Sequence, residues 1–253
     1  MTMSRRSPFV LAVIGLVILA GAAGLAFLFV RGAPPPAVGA ASGSPGASIP
    51  VATVGALPTG TAGTIGPDGL DGTWTVDTSI GSFADFSSSF VGYRVHETFA
   101  DNRANTAVGR TPAVTGSLTL AGASITSVQI TADLTQLQSD DDRRDGRLRD
   151  QAIETGRFPE ASFRLTAPID LGAAPEDGET IDATATGELT LHGVTRAVSV
   201  PVQASLSGDV VTVTGSIEIL FADYDIERPT SFLVLSIEDH GIMEFQLHFR
   251  RSS

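Results

Sequence analysis

Alternation of apolar and polar side chains at every second position dominates the chain from Trp74 to the C-terminus. It is clearest in five stretches: residues 127–134, 162–166, 198–206, 211–221 and 243–250. A period of two is typical of strands that bury one face. Short turn signals separate these strands, namely Ala121-Gly122, His192-Gly193, Ser207-Gly208-Asp209 and His240-Gly241. Tight turns between alternating strands predict antiparallel hairpins.

About eight strands can be counted on this pattern. A single sheet of that size tends to close, because closure removes its exposed edges. We therefore predict an all-β fold, an eight-stranded antiparallel barrel over residues 72–253. The interior of such a barrel is either filled by side chains or holds one small ligand.

One stretch, residues 139–156, breaks the alternation and reads SDDDRRDGRLRDQAIETG. Ser139 or an early Asp can cap a helix start, and Gly156 can end the helix. Leu148, Ala152 and Ile153 give it a short apolar face. We predict a short, charged helical connection that lies over one end of the barrel.

The N-terminal segment from Pro8 to Val30 carries no charge. As a helix it would span about 34 Å, enough for a hydrocarbon core of about 30 Å. Because Arg5 and Arg6 precede it, the positive-inside rule places residues 1–7 in the cytoplasm and the C-terminal domain outside. We predict a single-pass anchor of the cytoplasmic membrane. A cleaved signal peptide ending near Ala20-Gly21-Ala22 is the alternative, although the apolar run is long for one.

Residues 31–71 are rich in Pro, Gly, Ala, Ser and Thr and show no amphipathic period. Such a composition buries too little apolar surface to offset the entropy lost on ordering. We predict a disordered linker with a root-mean-square reach of roughly 35 Å.

The charge balance excludes one class of partner. The chain has 28 acidic and 16 basic residues, for a net charge of -12, and every basic residue is Arg. Such a field repels nucleic acid, so we predict no nucleic-acid partner. Because there is no Cys, disulfides, thiolate metal sites and Cys nucleophiles are all excluded.

No motif points to a catalytic residue, a metal or a cofactor, and we predict none of these. The acidic run Asp140–Asp142 followed by Asp145-Gly146 resembles a calcium loop. However, Arg143 would occupy a ligand position in that loop. The four His residues lack the spacing of a metal site. Nucleophile elbows, phosphate-binding loops and dinucleotide fingerprints are absent from the sequence.

Five Arg residues form the one dense basic cluster of the acidic domain: Arg143, Arg144, Arg147, Arg149 and Arg157. They could contact an anionic headgroup at the barrel mouth. They could equally pair with the neighbouring Asp residues on a surface helix, where each pair contributes little.

Four segments resemble the YceI-like family of lipocalin-like lipid-binding proteins. The first two are Trp74-Thr75-Val76-Asp77 and Ser127–Ile130, the latter followed by Arg144-Asp145, Leu148-Arg149, Phe158-Pro159 and Ser162-Phe163. The other two are Gly187–Arg196, with its GELTLHGVTR sequence, and Phe221–Ile226. The resemblance implies an elongated eight-stranded barrel with a helical segment, and a long isoprenoid chain in a hydrophobic tunnel.

The chain departs from the family at three points, one of which is the loop before Phe158-Pro159, about one residue short. Arg147 stands where the family commonly has His, and His96-Glu97 where it often has Lys-His. These changes weaken any headgroup contact carried over from relatives. Arg144 and Asp145 do match the family motif, and they are candidates for headgroup binding or for helix docking.

The resulting hypothesis is a non-enzymatic, membrane-anchored extracytoplasmic protein. It would bind a long apolar lipid, an isoprenoid such as a quinone tail or a polyprenyl carrier. An enzyme acting on such a lipid and a ligand-free interaction module are the alternatives; protein partners stay unassigned. Small residues, including Gly187 and Gly215, predict room inside the barrel. The predicted tunnel lining is Val128, Ile130, Phe163, Leu165, Leu189, Val200, Val213, Ile217, Phe245 and Leu247.

Overall fold

The computed structural model describes residues 34–38, 69–229 and 234–252. The predicted cytoplasmic N-terminus (1–7), the predicted membrane helix (8–30) and most of the predicted linker lie outside these ranges. Within them, no helix is both long and apolar enough to cross a membrane. The chain divides into two compact units, residues 1–35 and 36–253, and the second contains the whole sheet.

Thirteen antiparallel strands form a single sheet in the described part of the chain. They are β1 (Gly72–Val76), β2 (Phe90–Phe99), β3 (Ala104–Thr111), β4 (Val114–Ala121), β5 (Ser124–Asp133), β6 (Gln138–Ser139), β7 (Glu160–Leu165), β8 (Ile169–Asp170), β9 (Thr180–Leu191), β10 (Val194–Ser207), β11 (Val210–Leu220), β12 (Val234–Ile237) and β13 (His240–Arg251). The prediction of an all-β antiparallel fold is therefore confirmed.

The sheet closes into a barrel of eight strands in the order β1-β4-β5-β7-β9-β10-β11-β13, with β13 pairing back to β1. Trp74 lies opposite Arg251 at this closure. Farther along, β13 pairs instead with β2, where Phe245 lies opposite Val91. β1 and β2 thus act as two halves of one interrupted barrel strand. Their neighbours β4 and β3 form the next strand, bent at Pro112-Ala113.

Two-residue turns connect the long hairpins as the sequence predicts. His192 and Gly193 have φ values of 52° and 75°, the left-handed conformation that such turns require. The predicted turn at His240-Gly241 is wrong, because both residues belong to β13, where Gly241 pairs with Ile219. A Cβ at Gly241 would lie 2.9 Å from the Val95 side chain, so the glycine serves close strand packing instead.

The predicted helical connection is confirmed, with different bounds. Helix α1 spans Asp142–Arg147 and continues as a π-helical segment over Leu148–Ala152. Asp141 caps it by accepting from the N–H groups of Arg143 and Arg144. Ser139 cannot be the cap, because it belongs to strand β6 and pairs there with Gly109 of β3. Three short 3₁₀ turns complete the described helices: Phe83–Asp85, Leu134–Gln136 and Phe221–Tyr224.

Candidate ligand-binding cavity

The barrel encloses a cavity of about 160 Å³. Its walls come from the inward faces of β4, β5, β7, β9, β10, β11 and β13, together with Leu70 and Trp74 before and on β1. The lining side chains are apolar except Ser162, Glu179 and Ser205. A single water needs only about 10–15 Å³, but it also needs several polar partners. A cavity this large and this apolar suits a hydrocarbon chain better than water.

Eight of the ten residues predicted to line a tunnel do line this cavity: Val128, Ile130, Phe163, Leu189, Val200, Val213, Phe245 and Leu247. The other two are not among the lining residues. Leu165 is buried in a cluster with Ile169 and Ala185. Ile217 packs against that cluster and against a second one that contains Tyr224.

Two glycines that were expected to leave room inside the barrel make space for aromatic rings instead. A Cβ at Gly187 would lie 2.5 Å from the Phe163 ring. A Cβ at Gly215 would lie 2.6 Å from the ring of Phe245, its partner across β11 and β13. The two phenyl rings therefore lie over bare backbone. Aromatic rings of this kind compensate for glycine in a sheet.

The cavity reaches the surface near Glu179, the only lining residue of the described chain that is exposed rather than buried or half-buried. Pro175, Ile181 and Leu171 surround this opening. It lies at the barrel end where β9 begins and the β10–β11 turn closes, since Gly178 N–H donates to the Leu206 carbonyl. Glu179 carries no periodic signal in the sequence, because it precedes Thr180, the first residue of β9.

Carboxylates dominate the segments that flank this opening. In the described chain at least six lie there: Asp71, Asp170, Glu176, Asp177, Glu179 and Asp209. Several accept hydrogen bonds from turn N–H groups; Asp71 accepts from Gly122 at 2.7 Å, and Asp177 from Gly208 at 2.7 Å. Two cations also lie at this end: Arg250 is paired with Asp77 and Asp209, and Arg251 donates to the backbone carbonyls of Gly69 and Asp71.

Polar side chains gather at the opposite end of the barrel, beneath α1. Arg144 donates to the Glu97 carboxylate at 3.1 Å and to Asp140 on its own segment. Glu97 is 8% exposed and also accepts from the Asn105 amide at 2.6 Å. Asp145 accepts from both the N–H and the hydroxyl of Ser139, at 3.0 and 2.6 Å. These bonds fasten the helix to β2, β3 and β6, which is the geometry of helix docking.

Tyr93 lies in the same region, and its hydroxyl has no hydrogen-bond partner among the described residues. Burial raises the pKa of this phenol well above its ordinary value, so Tyr93 stays neutral at every physiological pH.

A second polar contact brings together three of the motifs quoted for the family resemblance. The His192 ring contacts the Tyr224 carbonyl through Nδ1 and the Glu154 carboxylate through Nε2, both at 3.0 Å. The Phe158 ring meets the imidazole edge-on at 4.4 Å. Hydrogen bonds from His192 and Arg157 lower the pKa of Glu154. These residues tie the β9–β10 turn to the neighbouring loops at this end of the barrel.

Among the described residues, no three His, Asp or Glu side chains converge so as to hold a metal ion. The acidic run before α1 is used in local bonds, with Asp141 as the helix cap and Asp145 bound to Ser139.

Comparison with known proteins gives a consistent result. The model of the YceI-like domain family matches residues 74–249. UPF0312 proteins of Vibrio parahaemolyticus and Vibrio campbellii are 29% and 28% identical over 120 residues, which is 45% of this chain. The chain thus spans 60% of the length of these curated relatives.

A solved structure provides the fold comparison. The polyisoprenoid-binding domain from Saccharophagus degradans, implicated in plant cell wall breakdown, superposes with a TM-score of 0.56 at 21% identity. The match covers 72% of this chain and 99% of that domain.

The helix-docking geometry makes a prediction about Arg144. Arg144→Ala leaves the Glu97 carboxylate buried without its cation, which should cost about 3 kcal/mol of unfolding free energy. For a domain of this size the thermal midpoint should fall by roughly 6–12 °C. The exposed neighbour Arg143→Ala is the matched control, and it should melt like the wild type. Adding Glu97→Gln to Arg144→Ala should restore part of the loss. An unchanged melting temperature for Arg144→Ala would contradict the docking role.

Proposed function

Because this chain belongs to the YceI-like family, we propose that it binds a long apolar lipid, an isoprenoid, inside its barrel without chemically changing it. The observation that carries the proposal is the closed barrel around an apolar cavity of about 160 Å³ with three polar lining residues. An apolar cavity with so few polar groups selects a ligand by the shape and length of its hydrocarbon part. The polyisoprenoid-binding domain of Saccharophagus degradans, which shares the fold, adds support by analogy.

The acidic opening refines the chemistry of the ligand. A headgroup at the opening would sit beside Glu179, with Glu176 and Asp177 nearby. The Glu176 N–H donates to the Glu179 carboxylate, which fixes that charge close to the opening. Like charges repel, so a phosphate or diphosphate headgroup is disfavoured there. An uncharged isoprenoid, such as a quinone or a free polyprenol, suits the opening better than a phosphorylated polyprenyl carrier.

The location of the protein is the second part of the proposal. The uncharged segment 8–30 would anchor the chain in the cytoplasmic membrane, with the barrel on the extracytoplasmic side. This would place the barrel beside the membrane that contains its ligand. The support is the length of the apolar run and the position of Arg5 and Arg6.

Val200→Trp tests the cavity. Val200 is 3% exposed and lines the cavity wall, so an indole there should fill the space that the lipid needs. Wild-type protein purified from its native host should release an isoprenoid on solvent extraction and mass spectrometry. Val200→Trp should carry less than a tenth as much lipid, and overpacking should cost about 1–3 kcal/mol. Ser199→Trp is the control, because Ser199 is exposed on the outer face of β10 and lipid content should stay normal. Equal lipid in both variants, or none in the wild type, would contradict the proposal.

A matched ligand pair tests the headgroup preference. A free polyprenol and the polyprenyl phosphate of equal chain length differ only at the headgroup. At low ionic strength the polyprenol should bind at least fivefold more tightly. The difference should shrink as salt rises, because added ions screen exposed charges, and it should shrink in Glu179→Gln. Tighter binding of the phosphate would overturn the preference for an uncharged ligand.

Cell fractionation tests the anchor. If residues 8–30 stay in the membrane, the mature protein should keep its N-terminus and resist extraction by high salt. A soluble mature protein that begins near Ala23 would show instead that the segment is a cleaved signal peptide.

A further inference from the structure

The outer wall of the barrel contains a buried ionic cluster that is separate from the cavity lining and from the contacts of α1. Glu244 projects from β13 and is only 1% exposed. The Arg110 guanidinium contacts one of its carboxylate oxygens at 2.6 Å, and Arg94 contacts the other at 2.6 Å. Two guanidinium groups thus share one carboxylate that is shielded from water. Such an arrangement is costly unless further acceptors complete it.

Several features build this site around Arg110. The guanidinium carbon lies 4.4 Å from the centre of the Phe86 ring and 4.2 Å from that of Phe90, so aromatic faces cover the cation. Gly92 lies opposite both Arg110 and Glu244 in the sheet. A Cβ at Gly92 would come within 2.6 Å of the Arg110 side chain. The absence of a side chain at Gly92 therefore provides the space that Arg110 occupies.

A further acceptor for both cations comes from the N-terminal segment of the chain. The Pro36 carbonyl accepts a hydrogen bond from Arg110 at 2.9 Å and another from Arg94. Two residues later, the Val38 N–H donates to Glu244 at 3.3 Å. The segment therefore supplies an acceptor to both cations and a donor to the anion. The sequence favours this use of Pro34-Pro35-Pro36, because a proline run lacks N–H groups and stays extended with its carbonyls available.

We propose that Pro36–Val38 is a strap that docks on the wall site formed by Arg94, Arg110 and Glu244 and holds the barrel close to the N-terminal segment. The wall site recognises an extended proline-containing backbone, and its occupant is this chain itself. If residues 8–30 form the proposed membrane anchor, on which this consequence rests, only residues 31–35 separate the anchor from the strap. Extended chain of that length reaches roughly 20 Å. The strap would then leave only those five residues of the linker free on its N-terminal side.

Distance measurements between two spin labels test the strap in the full chain. The sequence has no Cys, so labels attach only where Cys is introduced. One label is placed at Ala37→Cys and the other at Thr184→Cys, an exposed position on β9, which lies three strands from β13 in the barrel. The strap predicts a single narrow distance distribution. The control pair is Ala47→Cys with Thr184→Cys, in the part of the linker that its composition predicts to be disordered, and its distribution should be broad.

Arg94→Ala should release the strap, because it removes one donor to Pro36 and one bond to Glu244. The width of the Ala37 distribution should at least double. Arg103→Ala is the matched control: this arginine ends the β2–β3 loop, contacts Asp101 and Phe99, and should leave the width unchanged. If the Ala37 distribution in the otherwise unchanged chain is as broad as that of Ala47, there is no strap. That comparison holds whether or not Arg94→Ala folds. A folded Arg94→Ala with a narrow distribution would also overturn the proposal.

Lipid extraction from the same samples separates this proposal from the proposed function. A narrow Ala37 distribution in protein without lipid would leave the strap standing and contradict isoprenoid binding. A broad Ala37 distribution in protein that carries lipid would support isoprenoid binding and contradict the strap.

Discussion

The pairing of the last strand with the two halves of the first is the constraint on which the rest of the structure depends. β13 closes the barrel with β1 near its C-terminus and pairs with β2 farther back. Between those halves the chain leaves the sheet over residues 77–89 and must satisfy its backbone groups elsewhere. It does so on the outer face of β13, where the Ser89 hydroxyl accepts from His248 N–H and Gln246 donates to the Ser88 carbonyl. The same segment, residues 77–89, brings Phe86 over Arg110. The interruption of the strand between β1 and β2 therefore accounts both for how the barrel closes and for how the ionic cluster is covered.

Closure also separates two kinds of chemistry. Apolar stripes meet inside the barrel, where Phe163 and Phe245 lie over bare glycine backbone and the remaining volume stays open. Charged groups are confined to the outer wall and the two ends. At one end Arg144 and its neighbours form hydrogen bonds with other protein groups. At the other end, carboxylates accept hydrogen bonds from turn N–H groups and make the opening acidic. The inside therefore offers a ligand mainly apolar contact, with Ser162 and Ser205 as the polar lining residues besides Glu179 at the opening.

The alternation of side chains was sufficient to predict the barrel, because the strand period reports directly which face is buried. It placed Val128 and Val200 on the cavity wall for the same reason. The alternation could not predict that Leu165 and Ile217 do not line the cavity. That depends on the depth of a residue along the barrel and on where neighbouring side chains leave space. It also assigned the helix start to Ser139 or an early Asp, and only the pairing of β6 shows that Asp141 is the cap.

Long-range polar contacts were beyond the reach of sequence reasoning. Glu244 falls on the outward face of its strand and reads as solvent-exposed, yet it is 1% exposed and paired with Arg94 and Arg110, which precede it by 150 and 134 residues in the chain. Glu97, the partner of Arg144 in α1, lies on β2, 47 residues earlier, and no local pattern connects the two. In contrast, Asp145 and Ser139 are six residues apart, within the range where a local bond can be anticipated.

The position of the single Trp gives the molecule an optical property. Trp74 is 3% exposed, its indole N–H donates to the Leu70 carbonyl at 3.0 Å, and the same side chain lines the cavity. With no second indole in the chain, all tryptophan fluorescence comes from one ring at the boundary between protein and cavity. Its emission wavelength and its quenching depend on what occupies the adjacent volume. The unlabelled protein therefore contains its own fluorophore for following the filling and emptying of the barrel in real time.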